Sequence, residues 1–324
     1  PPTETAPGPM EPAVIEAFDA VLPHGITLSC RAAGERGRPV LLFLHGFPEA
    51  AFVWDELLEH FAHPTHGGFR CVAPNLRGFE RSSAPPEVAA YRAKPLMQDI
   101  DALIEAVSAD SPTPGRLAAL VAHDWGGALA WGFSARHPQR LARLVILNAP
   151  HPLPFQRELA QSPAQQAASA YMNFLARPDA PALLAENDFA RLWPFFTAFA
   201  AQGTAPAEPA WLDDTMRERY RAVWRQGLQG GCNYYAASPL RPPTPADPGA
   251  TAVTLPPEAV TVRVPTLVIW GMGDTALPPT LLDGLTDVVP DLRIERLPGC
   301  THWLVHEQPQ RVAALIEGFV QTPM

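Results

Sequence analysis

The chain has 324 residues, 47% hydrophobic and 18% charged, which is enough apolar side chain for a sizeable core and rules out a disordered chain. Its net charge of −9, with acids spread along the sequence, argues against nucleic acid or an anionic membrane as partner, since neither attraction nor counterion release would be gained. No apolar stretch approaches the roughly 20 residues of a membrane span, and the opening P-P-T-E-T-A-P-G-P-M shows no signal-peptide pattern.

After this Pro-rich lead, Phe18 to Ala32 alternates around Pro23-His24-Gly25 and predicts an antiparallel hairpin. Short apolar strands follow at Val40 to Leu44, Arg70 to Ala73, Leu117 to Ala122, Leu144 to Leu147, Thr266 to Trp270 and Leu292 to Leu297. Helical periodicity lies between most of them, at Ala51 to Phe61, Lys94 to Ala109, Gly127 to Arg136, Pro279 to Val288 and Pro309 to Val320. Strands alternating with helices predict an α/β fold with a mostly parallel sheet covered on both faces. The alternation stops between Pro150 and Pro265, where helical patterns occur without a convincing strand, so an inserted helical domain is expected. Its far edge, Pro239 to Pro257, is too rich in proline for regular structure and reads as a stiff return linker. The expected division is a core at 1–150 and 259–324 around an insertion at 151–258. Cys30, Cys71, Cys232 and Cys300 lie far apart without C-x-x-C spacing, which suits reduced thiols in a cytoplasmic protein and leaves a disulfide open.

The stretch L-A-A-L-V-A-H-D-W-G-G from Leu117 to Gly127 puts a carboxylate at the tip of a buried strand, where a helix is about to begin. That is the form of a nucleophile elbow, G-x-S-x-G, with Asp124 in place of the serine. A carboxylate there can open an activated alkyl carbon and leave an ester to be hydrolysed. A helix N-cap is the alternative for an Asp before Gly-Gly. The remaining parts decide: Asp274 follows the strand Thr266 to Trp270, and His302 follows the strand Leu292 to Leu297. Nucleophile, acid and base therefore occur in the order Asp124, Asp274, His302. The H-G-F-P-E turn after Val40 to Leu44 offers the Phe47 backbone N–H, which with that of Trp125 can hold an oxyanion. His45 reads as a brace for that turn, and His306 is the alternative base, without a Gly-rich loop to present it. His60, His63 and His66 could suggest a metal, but Pro64 and Gly67-Gly68 break the helix that would align them and no acid or Cys joins at ligand spacing, so a solvated loop is expected.

These motifs resemble those of the α/β-hydrolase fold epoxide hydrolases with an aspartate nucleophile, including the soluble mammalian and plant enzymes. The resemblance runs from Phe18 to the C-terminus and rests on H-G-F-P at His45 to Pro48, H-D-W-G-G at His123 to Gly127, the Asp274 and His302 loops, and two segments of the insertion. It implies that the insertion is a cap carrying two tyrosines that bind and protonate the epoxide oxygen. Tyr171, in Y-M-N-F-L-A-R-P, and Tyr235, ending N-Y-Y, match those positions. It further implies a small apolar epoxide and water as partners and no cofactor; no metal is expected, and a homodimer stays open. Trp125, Phe174 and Trp193, with Phe195, Phe196 and Trp224, would supply an apolar pocket or the core of the cap. The sequence departs from the family in N-L-R-G-F-E-R-S-S, where a second Gly is usual at Glu80 and an acid near Asn75. Haloalkane dehalogenases share the core but often place Asn where Phe47 stands, and fluoroacetate dehalogenases want an arginine soon after the nucleophile, which is missing here. A non-catalytic ligand-binding protein on the same fold is the reading from another class.

Overall fold

The computed structural model describes residues 14–198 and 208–322, so the Pro-rich lead at 1–13 lies outside the described residues. Eight strands form one sheet: β1 (Glu16–Val21), β2 (Thr27–Ala33), β3 (Val40–Leu44), β4 (Arg70–Pro74), β5 (Ala119–His123), β6 (Leu144–Leu147), β7 (Thr266–Gly271) and β8 (Leu292–Leu297). Their spatial order is β1-β2-β4-β3-β5-β6-β7-β8. The β1/β2 hairpin and the β2/β4 pair are antiparallel, and every pair from β4 to β8 is parallel. β3 through β7 are buried along their whole length, as unbroken apolar runs require when helices cover both faces, whereas β8 at the edge is partly open.

The core helices before the insertion are α1 (Asp55–Ala62), α2 (Ala93–Ser108) and α3 (Asp124–Arg136). Between β6 and β7 the described residues add α4 (Pro152–Gln161), α5 (Pro163–Ala168), α6 (Ala170–Leu175), α7 (Ala180–Phe189), α8 (Trp193–Ala198), α9 (Asp214–Trp224), α10 (Gln229–Ala237) and α11 (Pro257–Val260), and no strand. α12 (Leu304–Glu307) and α13 (Pro309–Val320) close the chain. No described helix is long and apolar enough to cross a membrane.

Several elements depart from the sequence reading. The segment Pro279 to Val288 is not a helix but two 3-10 turns, Pro279–Leu282 and Leu285–Asp287, because Gly284 between them takes a left-handed φ of 78°. Ala51–Trp54 is likewise a 3-10 turn, with α1 starting only at Asp55. Leu117 makes an isolated bridge to Leu141, and the strand proper begins at Ala119. The Pro-rich return, free of long elements as expected, is not a bare spacer. It contains a 3-10 turn at Gly249–Ala252 and is held by Gln156 Nε2, which donates to the Ala250 carbonyl at 3.0 Å, and Asn173 Nδ2, which donates to that of Pro242 at 3.1 Å.

Candidate active site

β5 delivers the chain to the carboxyl edge of the sheet and α3 starts at once, so Asp124 sits at the bend with a left-handed φ of 50°. Such a φ is costly for a residue with a side chain and persists only where the surroundings impose it. Gly126 permits the bend: a Cβ there would lie 2.5 Å from the Leu44 carbonyl oxygen and 2.6 Å from that of His45. Gly46 serves the opposite wall, since its Cβ would fall 2.2 Å from the Asp124 carboxylate. With both side chains absent, the Phe47 N–H donates to Asp124 Oδ1 at 2.8 Å. Trp125 lies in the first turn of α3, where backbone N–H groups have no intrahelical partner. His45 does not face this carboxylate as a base: its Nδ1 is 2.9 Å from the Gly46 carbonyl, its Nε2 accepts the Leu76 N–H at 3.0 Å, and burial lowers its pKa to about 4.

Loops from two more strands meet Asp124. His302 Nε2 is 3.3 Å from Asp124 Oδ2, and its Nδ1 is 2.6 Å from Asp274 Oδ2. Burial favours the neutral ring, but the Asp274 charge and the hydrogen bonds to Asp124 and Asp274 outweigh it and raise the pKa of His302. Burial likewise opposes ionisation of Asp124, yet the hydrogen bond and charge of His302, with His123 and the Phe47 N–H, hold it below the usual carboxylate range. Asp274 is fixed from every side, accepting the N–H groups of Ala276 (2.9 Å) and Leu277 (2.8 Å) on Oδ1 and Asn148 Nδ2 (2.9 Å) on Oδ2. Asn148, just past β6, also accepts the Gly271 N–H at 2.7 Å, and so ties the Asp274 loop to its strand. Sequence reading missed Asn148; its only signal was a polar residue at a strand end.

Asp124, Trp125, Tyr171 and Tyr235 line one cavity of about 290 Å³, whose remaining wall is mainly apolar, including Leu96, Met97, Leu129 and Phe155. Pro239, Leu240, Val253 and Leu255 of the Pro-rich return also contribute. Tyr235 is buried and packs edge-on against Trp125 (centroids 5.2 Å) and Phe47 (5.3 Å), with Tyr171 at 6.1 Å. Tyr171 is half-buried, part of its surface open to the cavity. Burial and then the Asp124 charge push both phenol pKa values well above the ordinary value, so both hydroxyls stay protonated. Phe174 and Trp193, expected in the pocket, are not among the described residues lining it. Trp193 packs on Trp224 (4.6 Å) with the guanidiniums of Arg217 and Arg221 over its ring, and Phe174 lies beside Arg177. Phe196 and Trp224 are core of the insertion, clustered with Tyr220.

His306 is not at the carboxylate but in a second buried group around Glu49, the last residue of H-G-F-P-E. Glu49 Oε1 lies 2.6 Å from His306 Nε2 and accepts the Tyr220 hydroxyl at 2.7 Å, while Oε2 is 3.4 Å from His123 Nδ1. Burial opposes its charge, but His306 and His123 hold Glu49 well below the carboxylate range. His123 Nε2 reaches on to the His302 carbonyl at 2.8 Å, so Glu49 braces both the residue before Asp124 and the loop of His302. The unusual loop at Asn75 also resolves. Glu80 takes the left-handed φ of 49° that a Gly would favour, and its carboxylate bonds Ser29 Oγ (2.7 Å) and Asn75 Nδ2 (3.2 Å), supplying from position 80 the acid missing near 75.

Residues 39–309 match the model of the alpha/beta hydrolase fold family. Epoxide hydrolase 3 of Xenopus tropicalis is 32% identical over 92% of this chain and 75% of its own length. A crystal structure of an epoxide hydrolase from Bacillus megaterium in complex with an inhibitor superposes with a TM-score of 0.81 at 27% identity, covering 94% of this chain and 100% of that one. A structure from work on novel epoxide hydrolases in metagenomes from hot environments gives 0.78 at 35% identity, covering 95% and 99%. With its mostly parallel eight-stranded sheet, the chain belongs to the α/β hydrolase fold family and, within it, to the epoxide hydrolases, hydrolases that act on ether bonds.

Proposed function

We propose that the chain opens a small apolar epoxide to a vicinal diol through an ester on Asp124. The observation that carries this reading is the convergence of one carboxylate and two protonated phenols, Asp124, Tyr171 and Tyr235, on a single apolar cavity. Asp124 Oδ2 attacks a ring carbon while the tyrosines donate to the epoxide oxygen, so that the C–O bond breaks toward a protonated leaving group. The hydroxyalkyl ester has no charge on Asp124, which removes one of the groups favouring protonated His302. His302 gives up its proton to the phenolate left by the first step; neutral and held by Asp274, it then takes a proton from water as the water attacks the Asp124 carboxyl carbon. The Phe47 N–H, already on Oδ1, stabilises the oxyanion together with that of Trp125. Collapse releases the diol and restores the carboxylate.

In this reading residues 151–258 act as a cap that brings the tyrosines to a core formed by 1–150 and 259–324. Four buried free cysteines support a reducing, cytoplasmic setting. The test is incubation with a styrene oxide type substrate and chromatography of the diol, beside assays for chloride or bromide release from haloalkanes. Diol without halide supports the epoxide; halide without diol transfers the same nucleophile to dehalogenation.

A further inference from the structure

The histidines near the end of α1 do not form a loose solvated loop. His60 lies in the last turn of α1, and His66 ends the 3-10 turn Pro64–His66. Pro64 and the left-handed Gly67 and Gly68 break the helix, and that break folds the chain back so that His66 stacks on His60 with centroids 3.8 Å apart. An acid does join them, from α13. His60 Nε2 and His66 Nδ1 each lie 3.0 Å from Glu317 Oε2, and all three ligand atoms fall within 4.8 Å of one another. Gln321 Nε2 donates to Glu317 Oε1 at 3.3 Å, and His63 Nδ1 is taken by Thr65, 2.6 Å away.

We propose that His60, His66 and Glu317 bind a divalent transition-metal ion of the zinc type that clips α13 to α1. Two imidazoles and a carboxylate are the donor set such an ion takes. Ligand bonds of about 2.0–2.1 Å in tetrahedral geometry put ligand atoms about 3.3 Å apart, so the two 3.0 Å separations to Glu317 open by a few tenths of an ångström, and the stacked rings of His60 and His66 tilt apart so that their lone pairs converge on the ion. On binding, the ring nitrogens release the protons they share with Glu317 and offer lone pairs to the metal. The side chains keep 26%, 38% and 24% of their surface exposed, which leaves an entry path and room for water at the remaining positions. α1 has run back from the sheet edge that carries Asp124, so the ion serves stability and takes no part in the reaction.

The test is calorimetric titration of chelator-treated protein with Zn²⁺, together with thermal unfolding with and without the ion. We expect one zinc per chain and a raised unfolding midpoint. Loss of even an outer partner of a ligand costs about 10–100-fold in affinity, so His66→Asn and Glu317→Gln should each weaken zinc about 100-fold or more. Metal-free epoxide turnover should stay unchanged in both. His66→Asn alone carries the comparison if Glu317→Gln does not fold, since His66 is the most exposed of the three. No uptake by the native protein, or uptake of unchanged affinity in His66→Asn, overturns the proposal.

Discussion

Replacing Tyr235 by Phe removes one hydroxyl from the cavity and keeps the ring that packs against Trp125 and Phe47. A hydrogen bond to a charged group in a buried site contributes about 1.5–3 kcal/mol, and about 1.4 kcal/mol is a factor of ten in rate. Each single Tyr→Phe change should therefore slow ester formation by about 10- to 150-fold. Tyr235 should stand nearer the upper figure, because it is only 3% exposed and its ring is wedged between two aromatic edges, whereas Tyr171 is half-buried. With both hydroxyls gone no general acid remains, and the loss should reach about 10²–10⁴-fold. Rapid mixing of excess enzyme with substrate, quenched and read as mass on the Asp124 peptide, measures this step apart from hydrolysis. A double variant that alkylates at the native rate refutes the role given to the tyrosines.

Asp124→Ala should abolish diol formation while leaving the unfolding transition in place, and substantial residual turnover would remove it as the nucleophile. His302→Gln should form the ester but not break it, seen as a mass increase of one substrate on the Asp124 peptide; absence of that adduct refutes the division of labour. The His302 pKa is raised, so the stability its ion pairs confer is fully present below the ordinary histidine value of about 6.5 and is lost as pH rises through the raised one. Because the ester lacks the Asp124 charge, ester hydrolysis should gain rate through a pKa lower than the one NMR reads for His302 in the free enzyme; equal values contradict this. Glu49→Ala leaves His306, His123 and Tyr220 buried without their carboxylate and should cost about 3–5 kcal/mol in chemical denaturation, against little change if the group were solvated.

The middle of the sheet was legible because buried parallel strands need apolar runs, and turn residues bound them closely. The Pro279 to Val288 segment was not, because its apolar spacing fits a helix and only the backbone shows that Gly284 divides it. Asp124, Asp274 and His302 could be found from strand ends and chain order, which are local signals. Trp193 could not be placed, since an aromatic in a helical stretch fits a cavity and a core equally until its neighbours, Trp224 and two arginines, are known. Glu49 and Glu317 were invisible for a different reason: their partners lie far away in sequence, 257 residues for Glu49 and His306 and 251 for Glu317 and His66, and no periodicity reports such a distance.

The two oxygens of Asp124 are not equivalent. Oδ1 is held by the Phe47 N–H, while Oδ2 faces His302. In the proposed reaction the oxygen that bonds to the substrate leaves with the diol, and the solvent oxygen stays behind on the enzyme. A single turnover in H₂¹⁸O would then give unlabelled diol and a heavy aspartate, and isotope would reach product only in later cycles. The carboxylate thus has one oxygen renewed from water at each cycle and one that stays, and its isotopic state separates a molecule that has worked at least once from one that has not.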